Sequence, residues 1–398
     1  MTDRDQLLTL LDEFRIEVPS WGFADTGTRF GKFFQPAAAS TIDEKLADAG
    51  IVHRYTGCCP TVAVHVLWDF SVGVDATQTA QIAEKNGVRI GSINPNLFQD
   101  QVYKFGSATS PDERAQHHAN RHVMDCIAIA KAVKSNLLSL WFADGTNYPG
   151  QDDIATRKQR MHGALRQWHD AMPRDMTMLV EYKPFEPGFY HTDIADWGMS
   201  YVFAKEAGPR AKVLVDTGHH LPGANIEHIV AFLLDEEMLG GFHFNDRKYA
   251  DDDLTFGSID PYAAFRIFHE IRNAADIHKR DVSKIAYMID QSHNLKPKIE
   301  AMIQTATTAQ ELYAKACLVD RAKLQDAQSR MNIVDAETCL RDGFNTDVRP
   351  ILAEWRKRKG IEADPMIAYR ASGYEARVGK EREARRAASG ARSGSSYA

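Results

Sequence analysis

The chain of 398 residues has only five cysteines. Cys58 and Cys59 are adjacent, and Cys126, Cys317 and Cys339 stand far apart. An odd count without CxxC spacing excludes a disulfide scaffold and a structural zinc knuckle. A reducing, cytoplasmic compartment is therefore expected. The chain also lacks a basic excess. Its 48 Lys and Arg against 54 Asp and Glu leave a formal net charge of −6. A nucleic-acid-binding domain needs a strongly basic face, so no nucleic-acid partner is expected. No run of about 18 apolar residues occurs, so no membrane span is expected. The opening MTDRDQLLTLLDEFRIEV scatters acids among apolar residues and has no small-residue cleavage site. It predicts an amphipathic helix rather than a signal peptide. No GxGxxG follows the first apolar run, and no repeat of about 20–50 residues is found. Hydrophobic residues at 44% and charged residues at 26% are near the globular average, which excludes wholesale disorder.

What is present is a rhythm. Eight short runs are dense in apolar and β-branched residues: 21–25, 61–70, 88–93, 136–145, 176–186, 211–220, 239–246 and 284–292. Their length and composition fit buried parallel strands. Helical patterns separate them. Ser40 to Glu44 opens one with a capping pattern, and Ala49-Gly50 is expected to close it. Another spans 75–87. Ser110-Pro111-Asp112-Glu113 starts a third, running to about Lys134. Others cover 151–171, 192–207, 224–237 and 260–278. Eight strands alternating with helices over roughly 250 residues predict a (β/α)8 barrel. An open doubly wound sheet is the competing architecture. Beyond Asn294 the strand-like runs stop. A helix is predicted from Pro297 to about Leu324, with breaks near Asp342-Gly343 and Arg349-Pro350. The expected organisation is a barrel with an N-terminal helix over 1–295, an α-helical C-terminal arm for subunit contacts over 296–376, and a flexible Arg-, Ala- and Ser-rich tail over 377–398.

A barrel of this kind carries its active site where the strands end. The fifth run ends in Glu181, with Lys183 two residues on. The sixth ends in Asp216, followed by His219. The seventh carries His243, then Asp251 and Asp253. The eighth ends in Asp290. One Asp at a strand end most often serves as a turn or cap residue. Four successive strand ends delivering acids or imidazoles point instead to divalent metal. One ion could take Glu181, Asp216, His243 and Asp290. A second could share Glu181 and add His219, Asp251 and Asp253. Carboxylate-rich sets with one imidazole suit Mn²⁺, Mg²⁺ or Co²⁺. Lys183 faces as Glu181 does and could polarise a substrate oxygen.

The second run holds His65, with Asp69 four residues later, placed to orient the imidazole. Trp68, Phe98 and Trp141 could form an apolar wall, or simply pack the barrel. The loop 27–36, rich in Gly, Phe and Lys, could act as a lid. His117, His118 and His122 lack a nearby carboxylate at HExxH spacing and are expected on a solvated helical face.

The segments EYKPFEP, VDTGHHLPGANIEHIVA, GFHFNDRKYADDDLTFGSIDP and DQSHNLKPKIE resemble the L-rhamnose isomerases of the Pseudomonas/Rhizobium type, within the xylose-isomerase-like barrel group. The resemblance runs from about residue 21 to about residue 374, where YRASGYEAR also resembles that group's C-terminal segment. It implies a structural metal on Glu181, Asp216, His243 and Asp290, and a catalytic metal on Glu181, His219, Asp251 and Asp253. It places Lys183 near the sugar's O1, His219 and Trp141 against the substrate, and His65 with Asp69 at its far end. It implies two divalent ions per subunit, manganese above all, and a homotetramer in which the Phe33 and Phe34 loop helps close a neighbouring site. The expected catalytic residues are thus Lys183, Asp290, His65 and Asp69. Trp141, Lys183, His219, Trp68 and Phe98 are expected to bind substrate.

The expected activity is aldose–ketose isomerisation of L-rhamnose and L-rhamnulose, and of aldoses such as D-allose with D-psicose. Hydrogen would pass between C1 and C2, by hydride shift rather than through an enediol, because no free base is evident beside the metals. A ketose 3-epimerase on the same barrel, or a non-catalytic sugar-binding barrel, are the alternatives. A nuclease on such a barrel would want a basic groove, which the acidic balance opposes.

Overall fold

The computed structural model describes residues 4–28, 31–70, 73–185, 191–249 and 251–388. Its strands are β1 (Val18–Pro19), β2 (Thr26–Thr28), β3 (Gly31–Phe33), β4 (Thr61–His65), β5 (Arg89–Asn94), β6 (Leu137–Leu140), β7 (Thr177–Glu181), β8 (Ala211–Asp216), β9 (Leu239–Phe244) and β10 (Ala286–Ile289). β1 and β4 to β10 form one parallel sheet in chain order. Glu17 closes it against β10: its N–H donates to Tyr287 O at 2.8 Å, and its carbonyl accepts from Ile289 N at 2.9 Å. The result is the expected (β/α)8 barrel. β2 and β3 pair separately as a short antiparallel hairpin over the strand C-termini.

Six of the eight predicted runs hold their strands: five are trimmed by two to six residues, and that of 88–93 shifts by one to Arg89–Asn94. Two differ in kind. The first strand is Val18–Pro19, not 21–25, where Ser20–Phe23 form a 3-10 turn. A two-residue strand leaves no period to read, whereas Trp21 and Phe23 are conspicuous. The second run stops at His65, because residues 66–69 turn with Leu67 at φ 88°.

The barrel interior explains the site. Leu179, Leu214 and Met288 form a small buried cluster apart from the main core. Each lies two residues before an acid: Glu181, Asp216 and Asp290. Side chains two apart on a strand share a face. The apolar cluster therefore floors the barrel, and the three carboxylates stand above it. Gly241 holds the equivalent place under His243. A Cβ there would meet Ala286 O at 2.9 Å and Leu214 Cδ1 at 3.3 Å.

The helices pack around the outside with ordinary caps. Thr41 Oγ1 accepts from Glu44 N at 3.3 Å, while Glu44 Oε2 accepts from Ser40 N at 2.7 Å. That helix does not stop at Ala49-Gly50. It runs Ile42–Thr56 and ends at Gly57, φ 73°. Gly50 serves packing instead, since a Cβ would lie 2.4 Å from Asn86 O. In the C-terminal arm the expected long helix is two, Lys298–Cys317 and Arg321–Ser329, because Asp320 caps a new start. Helix Ile333–Asn345 passes straight through Asp342-Gly343, with Gly343 packed on Val319. Arg349-Pro350 does open a new helix, Arg349–Arg358.

The arm folds back on its own barrel. Trp355 is buried, and its Nε1 donates to Asp12 Oδ1 at 2.8 Å. The stretch read as a flexible tail differs most. Helix Tyr374–Ala388 is ordered, and its Arg382 is buried against Asp48 through bonds of 2.8 and 2.9 Å. Composition misled here because the helix buries few apolar groups and docks through arginines. Residues 389–398 lie outside those described.

His269, buried on helix Pro261–Asp276, has no hydrogen-bond partner at Nδ1. Burial, aided by the nearby Arg321 charge, pushes its imidazole down to about 4. The unfolded chain takes up this proton near pH 6.5. The stabilising contribution is therefore full above about pH 6.5 and is lost as pH falls toward about 4. His269→Leu should make the melting temperature fall less steeply across that interval. Parallel wild-type and variant curves would rule this out.

Candidate functional site

Four ligand atoms, one each from Glu181, Asp216, His243 and Asp290, lie within 4.8 Å of one another. Each side chain is held by a separate device. Asp216 accepts from Asn245 Nδ2 at 3.0 and 3.2 Å and from Gly218 N at 2.7 Å. Asp290 Oδ1 accepts from Trp21 Nε1 at 2.8 Å. Glu181 Oε1 is 3.1 Å from His219 Nδ1, and its Oε2 is 3.3 Å from His243 Nδ1. Both ring nitrogens of His243 are buried; Nδ1 is within ion-pair reach of Glu181, and Nε2 has no hydrogen-bond partner.

The second expected set meets through His219. Its Nε2 lies 3.1 Å from Asp251 Oδ1, and its Nδ1 also lies 3.1 Å from Tyr182 O. Lys183 Nζ donates to Asp251 Oδ2 at 2.6 Å and stands 5.1 Å above the Trp141 ring. Asp253, at φ 48°, lines the same cavity. Thus six of the seven residues expected to bind metal line one cavity, and Asp216, fully buried, joins Glu181, His243 and Asp290 in the one compact cage of the set.

The electrostatics favour a cation. Burial raises Asp216 to about 7, His219 opposes this, and the charges of Glu181, Asp290 and Asp251 add to it. Burial, with the neighbouring carboxylates, also raises Asp253 and Asp290. Burial would raise Glu181 too, but the two imidazoles outweigh it and hold the group at about 2. Burial alone would lower His243, yet Glu181 and its neighbours lift it to about 9. Two like charges about 5 Å apart repel by roughly 3 kcal/mol at an effective dielectric near 20. Three carboxylates against one imidazole leave an excess of negative charge within that distance, which the His243 proton offsets only in part. This donor set fits a hard or borderline divalent ion held by oxygen and imidazole.

The cavity, about 820 Å³, extends from these acids past an aromatic wall to the β2–β3 hairpin. Trp68 stacks on His65 at 3.9 Å between ring centres. Phe98 stands edge-on to His65 at 5.5 Å and to Trp141 at 4.9 Å. The wall expected from Trp68, Phe98 and Trp141 is present. Asp69, however, does not orient the His65 imidazole. Its Oδ2 accepts the His65 backbone N–H at 2.8 Å and also receives Ser20 Oγ, and its Oδ1 takes Lys45 Nζ at 2.6 Å. The turn after β4 puts the carboxylate behind the backbone rather than beside the ring. His65 Nδ1 faces Val66 O at 3.3 Å, and burial holds the imidazole down at about 4, hence neutral.

His122 is not on a solvated face. Its Nε2 accepts from Asn96 N at 2.9 Å, fixing the loop after β5. His118 does face outward, 3.2 Å from Asp100. Within the loop 27–36, Lys32 and Phe34 line the cavity, and residues 29 and 30 lie outside those described. Sequence reasoning missed Trp21 as an Asp290 donor, Asn245 as the Asp216 clamp and Lys45 as a cavity-lining cation. Asn245, two residues after His243, carried a legible signal, because it shares that residue's face. Trp21 and Lys45 carried none, being far in sequence from their partners.

A family described as a xylose isomerase-like TIM barrel matches residues 64–277. The chain is 40% identical over 385 residues to a "probable sugar isomerase" of Mesorhizobium japonicum, covering 96% of this chain and 89% of that protein. It is 39% identical over 390 residues to another such protein of Rhizobium meliloti, with the same coverages. Among solved structures, an L-ribulose 3-epimerase superposes with a TM-score of 0.53 at 14% identity, over 81% of this chain and 98% of that one, a likeness of fold.

Mn²⁺ added to chelator-stripped protein at a hundredfold excess over Kd should raise the melting temperature by about 3–5 °C. His243→Asn should abolish most of that shift. No response to Mn²⁺, Co²⁺ or Mg²⁺ in the parent protein would overturn the metal assignment.

Proposed function

This chain belongs to the xylose isomerase-like TIM-barrel family, and from that membership and its cavity we propose a metal-dependent aldose–ketose isomerase acting on L-rhamnose and L-rhamnulose. Related pairs such as D-allose and D-psicose are further substrates of this reading. The observation that carries it is Lys183. Its ammonium is set between Asp251 and the Trp141 face, in the cavity that the acids Glu181, Asp251, Asp253 and Asp290 line. A cation there serves a substrate oxygen that gains negative charge, as O1 does when an aldehyde is reduced to an alcohol.

Glu181, Asp216, His243 and Asp290 would hold one divalent ion, and Glu181, His219, Asp251 and Asp253 a second. Bound there, manganese would supply Lewis acidity at the sugar's oxygens. The rest falls to the chain. Lys183 donates to O1 and steadies the charge on it. Trp141 packs against the sugar's C–H face, and Trp68 with Phe98 keeps water from that side. Neutral His65 offers a hydrogen bond to a distant hydroxyl without adding charge. Asp69 acts through the His65 backbone, so its part is positioning. Hydrogen passes from C2 to C1 with its electron pair, O1 takes a proton from Lys183, and the proton that O2 gives up returns to Lys183 through solvent, so no net proton is gained or lost. This reading suits a site in which Glu181, Asp216, Asp251, Asp253 and Asp290 are all assigned to cations and none is left as a base. Asp290, which the sequence alone offered as catalytic, has its second oxygen tied to Trp21.

A ketose 3-epimerase needs two carboxylates free to work on C3, and the acids around Lys183 are shared with the cages. The sequence resemblance also supports a homotetramer, and the sparse, unpaired cysteines support a reducing, cytoplasmic compartment. Phe34, which lines the cavity, and its neighbour Phe33 are both exposed, as contact with a neighbouring subunit would require.

A Mn²⁺-supplemented panel of aldoses should yield ketoses, L-rhamnose foremost, and a chelator should abolish the reaction. Exclusive 3-epimer formation, or no product from any sugar, would refute it. In deuterated water C1 and C2 should stay unlabelled; stoichiometric incorporation would sink the hydride path. Lys183→Met should lower kcat by about 10²–10³-fold. Near-normal turnover would remove Lys183 from the chemistry.

A further inference from the structure

The outer half of the cavity is built on chain that has little support of its own. Asp25, Thr26, Lys32 and Phe34 line it, from the β2–β3 hairpin and its flanks. The hairpin contains three residues per strand. Residues 34–38 that follow belong to no helix or strand. Isolated two-stranded ribbons are marginal in water, so something else must hold this wall.

Helix Tyr374–Ala388 does so. Arg386 Nη1 pairs with Asp25 Oδ2 at 3.2 Å, and its Nη2 donates to Gln35 O at 3.1 Å and to Pro36 O. One turn earlier Arg382 donates to Ala37 O while gripping Asp48. Gly379 faces the same stretch, where a Cβ would lie in ordinary contact with Pro36 Cβ at 3.5 Å. The grip continues inward. Asp25 Oδ1 accepts from Gln35 N at 2.8 Å, and Gln35 Nε2 donates to Lys296 O at 2.9 Å and to Asn294 O at 3.3 Å. That last loop follows Asp290, so the clasp joins the cavity's outer wall to its metal end. A guanidinium is suited to the task, since its planar fork serves a carboxylate and two carbonyls together.

We propose that helix Tyr374–Ala388 is a clasp on the outer wall of the sugar pocket, and that Arg386 is the positioning residue setting how tightly the far end of a six-carbon sugar is held. The inference rests on the isomerase reading and extends it from the reacting carbons to sugar length. On this reading a four-carbon aldose bound at the metal end would end short of this wall. The clasp therefore acts on long substrates and leaves the chemical step alone.

The test compares metal-loaded parent, Arg386→Ala and Arg386→Lys on a six-carbon and a four-carbon aldose. Arg386→Ala should raise KM for the six-carbon sugar about tenfold with kcat within about twofold, and leave the four-carbon KM unchanged. Arg386→Lys should recover part of the loss, since it keeps one donor and the charge. Unchanged KM values, or equal increases for both lengths, would overturn the proposal. If Arg386→Ala does not fold, Asp25→Asn removes the charge from the other side and should raise the six-carbon KM selectively. If the parent isomerises no sugar, the function reading fails by itself. Calorimetric binding of sorbitol against erythritol then decides: selective weakening for sorbitol in Arg386→Ala supports the clasp, and its absence refutes it.

Discussion

Carboxylates crowded at one end of the barrel impose the central constraint on this structure. Glu181, Asp251, Asp253 and Asp290 line one cavity, Asp216 is buried against the same cage, and His219, His243 and Lys183 are set directly against these acids. Left alone, such a cluster raises proton affinities, as Asp216, Asp253 and Asp290 show. The barrel tolerates the strain because its strands are anchored elsewhere. Leu179, Leu214 and Met288 form a dry floor directly beneath, and the phenylalanine-rich main core holds the strands from outside. The pleat of each strand then leaves the acids no other direction to face.

The devices around the cluster divide into two kinds. Asn245 and Gly218 clamp Asp216, and Trp21 clamps Asp290, all with neutral donors that spend no positive charge. His219 and Lys183 instead bring charge to Asp251. Neutral clamps fix ligand geometry while preserving affinity for a cation. The charged contacts lie where substrate oxygens are expected. The inner pole is thus rigid and electron-rich, and the pole toward Lys183 is better suited to change partners during turnover.

Away from the acids the cavity changes character. His65, held neutral by burial, stacks with Trp68 in an aromatic wall. Further out, the wall is loop and hairpin, and its order comes from arginines of the last helix. The C-terminal arm therefore has two roles in the fold. Its earlier helices cover the barrel through apolar contacts such as Trp355, and its last one reaches the pocket through ion pairs and carbonyl contacts.

How much of this was legible depended on sequence distance. Eight apolar runs, the barrel they build and the acids at their ends were readable, because strand pleat and strand-end chemistry are local properties. Glu181, Asp216, His243 and Asp290 followed from that alone. The two-residue first strand was not readable, since pairing on both sides, rather than its own pattern, makes Val18–Pro19 a strand. Gly50 and Gly343 looked like helix breaks, yet each stays helical because a neighbour packs where a side chain would stand. The tertiary structure alone decided that Asp69 serves the His65 backbone and Lys45, that Trp21 reaches Asp290, and that an Arg-rich terminal segment is an ordered helix against Asp48 and Asp25. Each of these contacts joins groups set by how the chain turns or docks. Composition reports how apolar a segment is, but the energy of a docked charge resides in its distant partner.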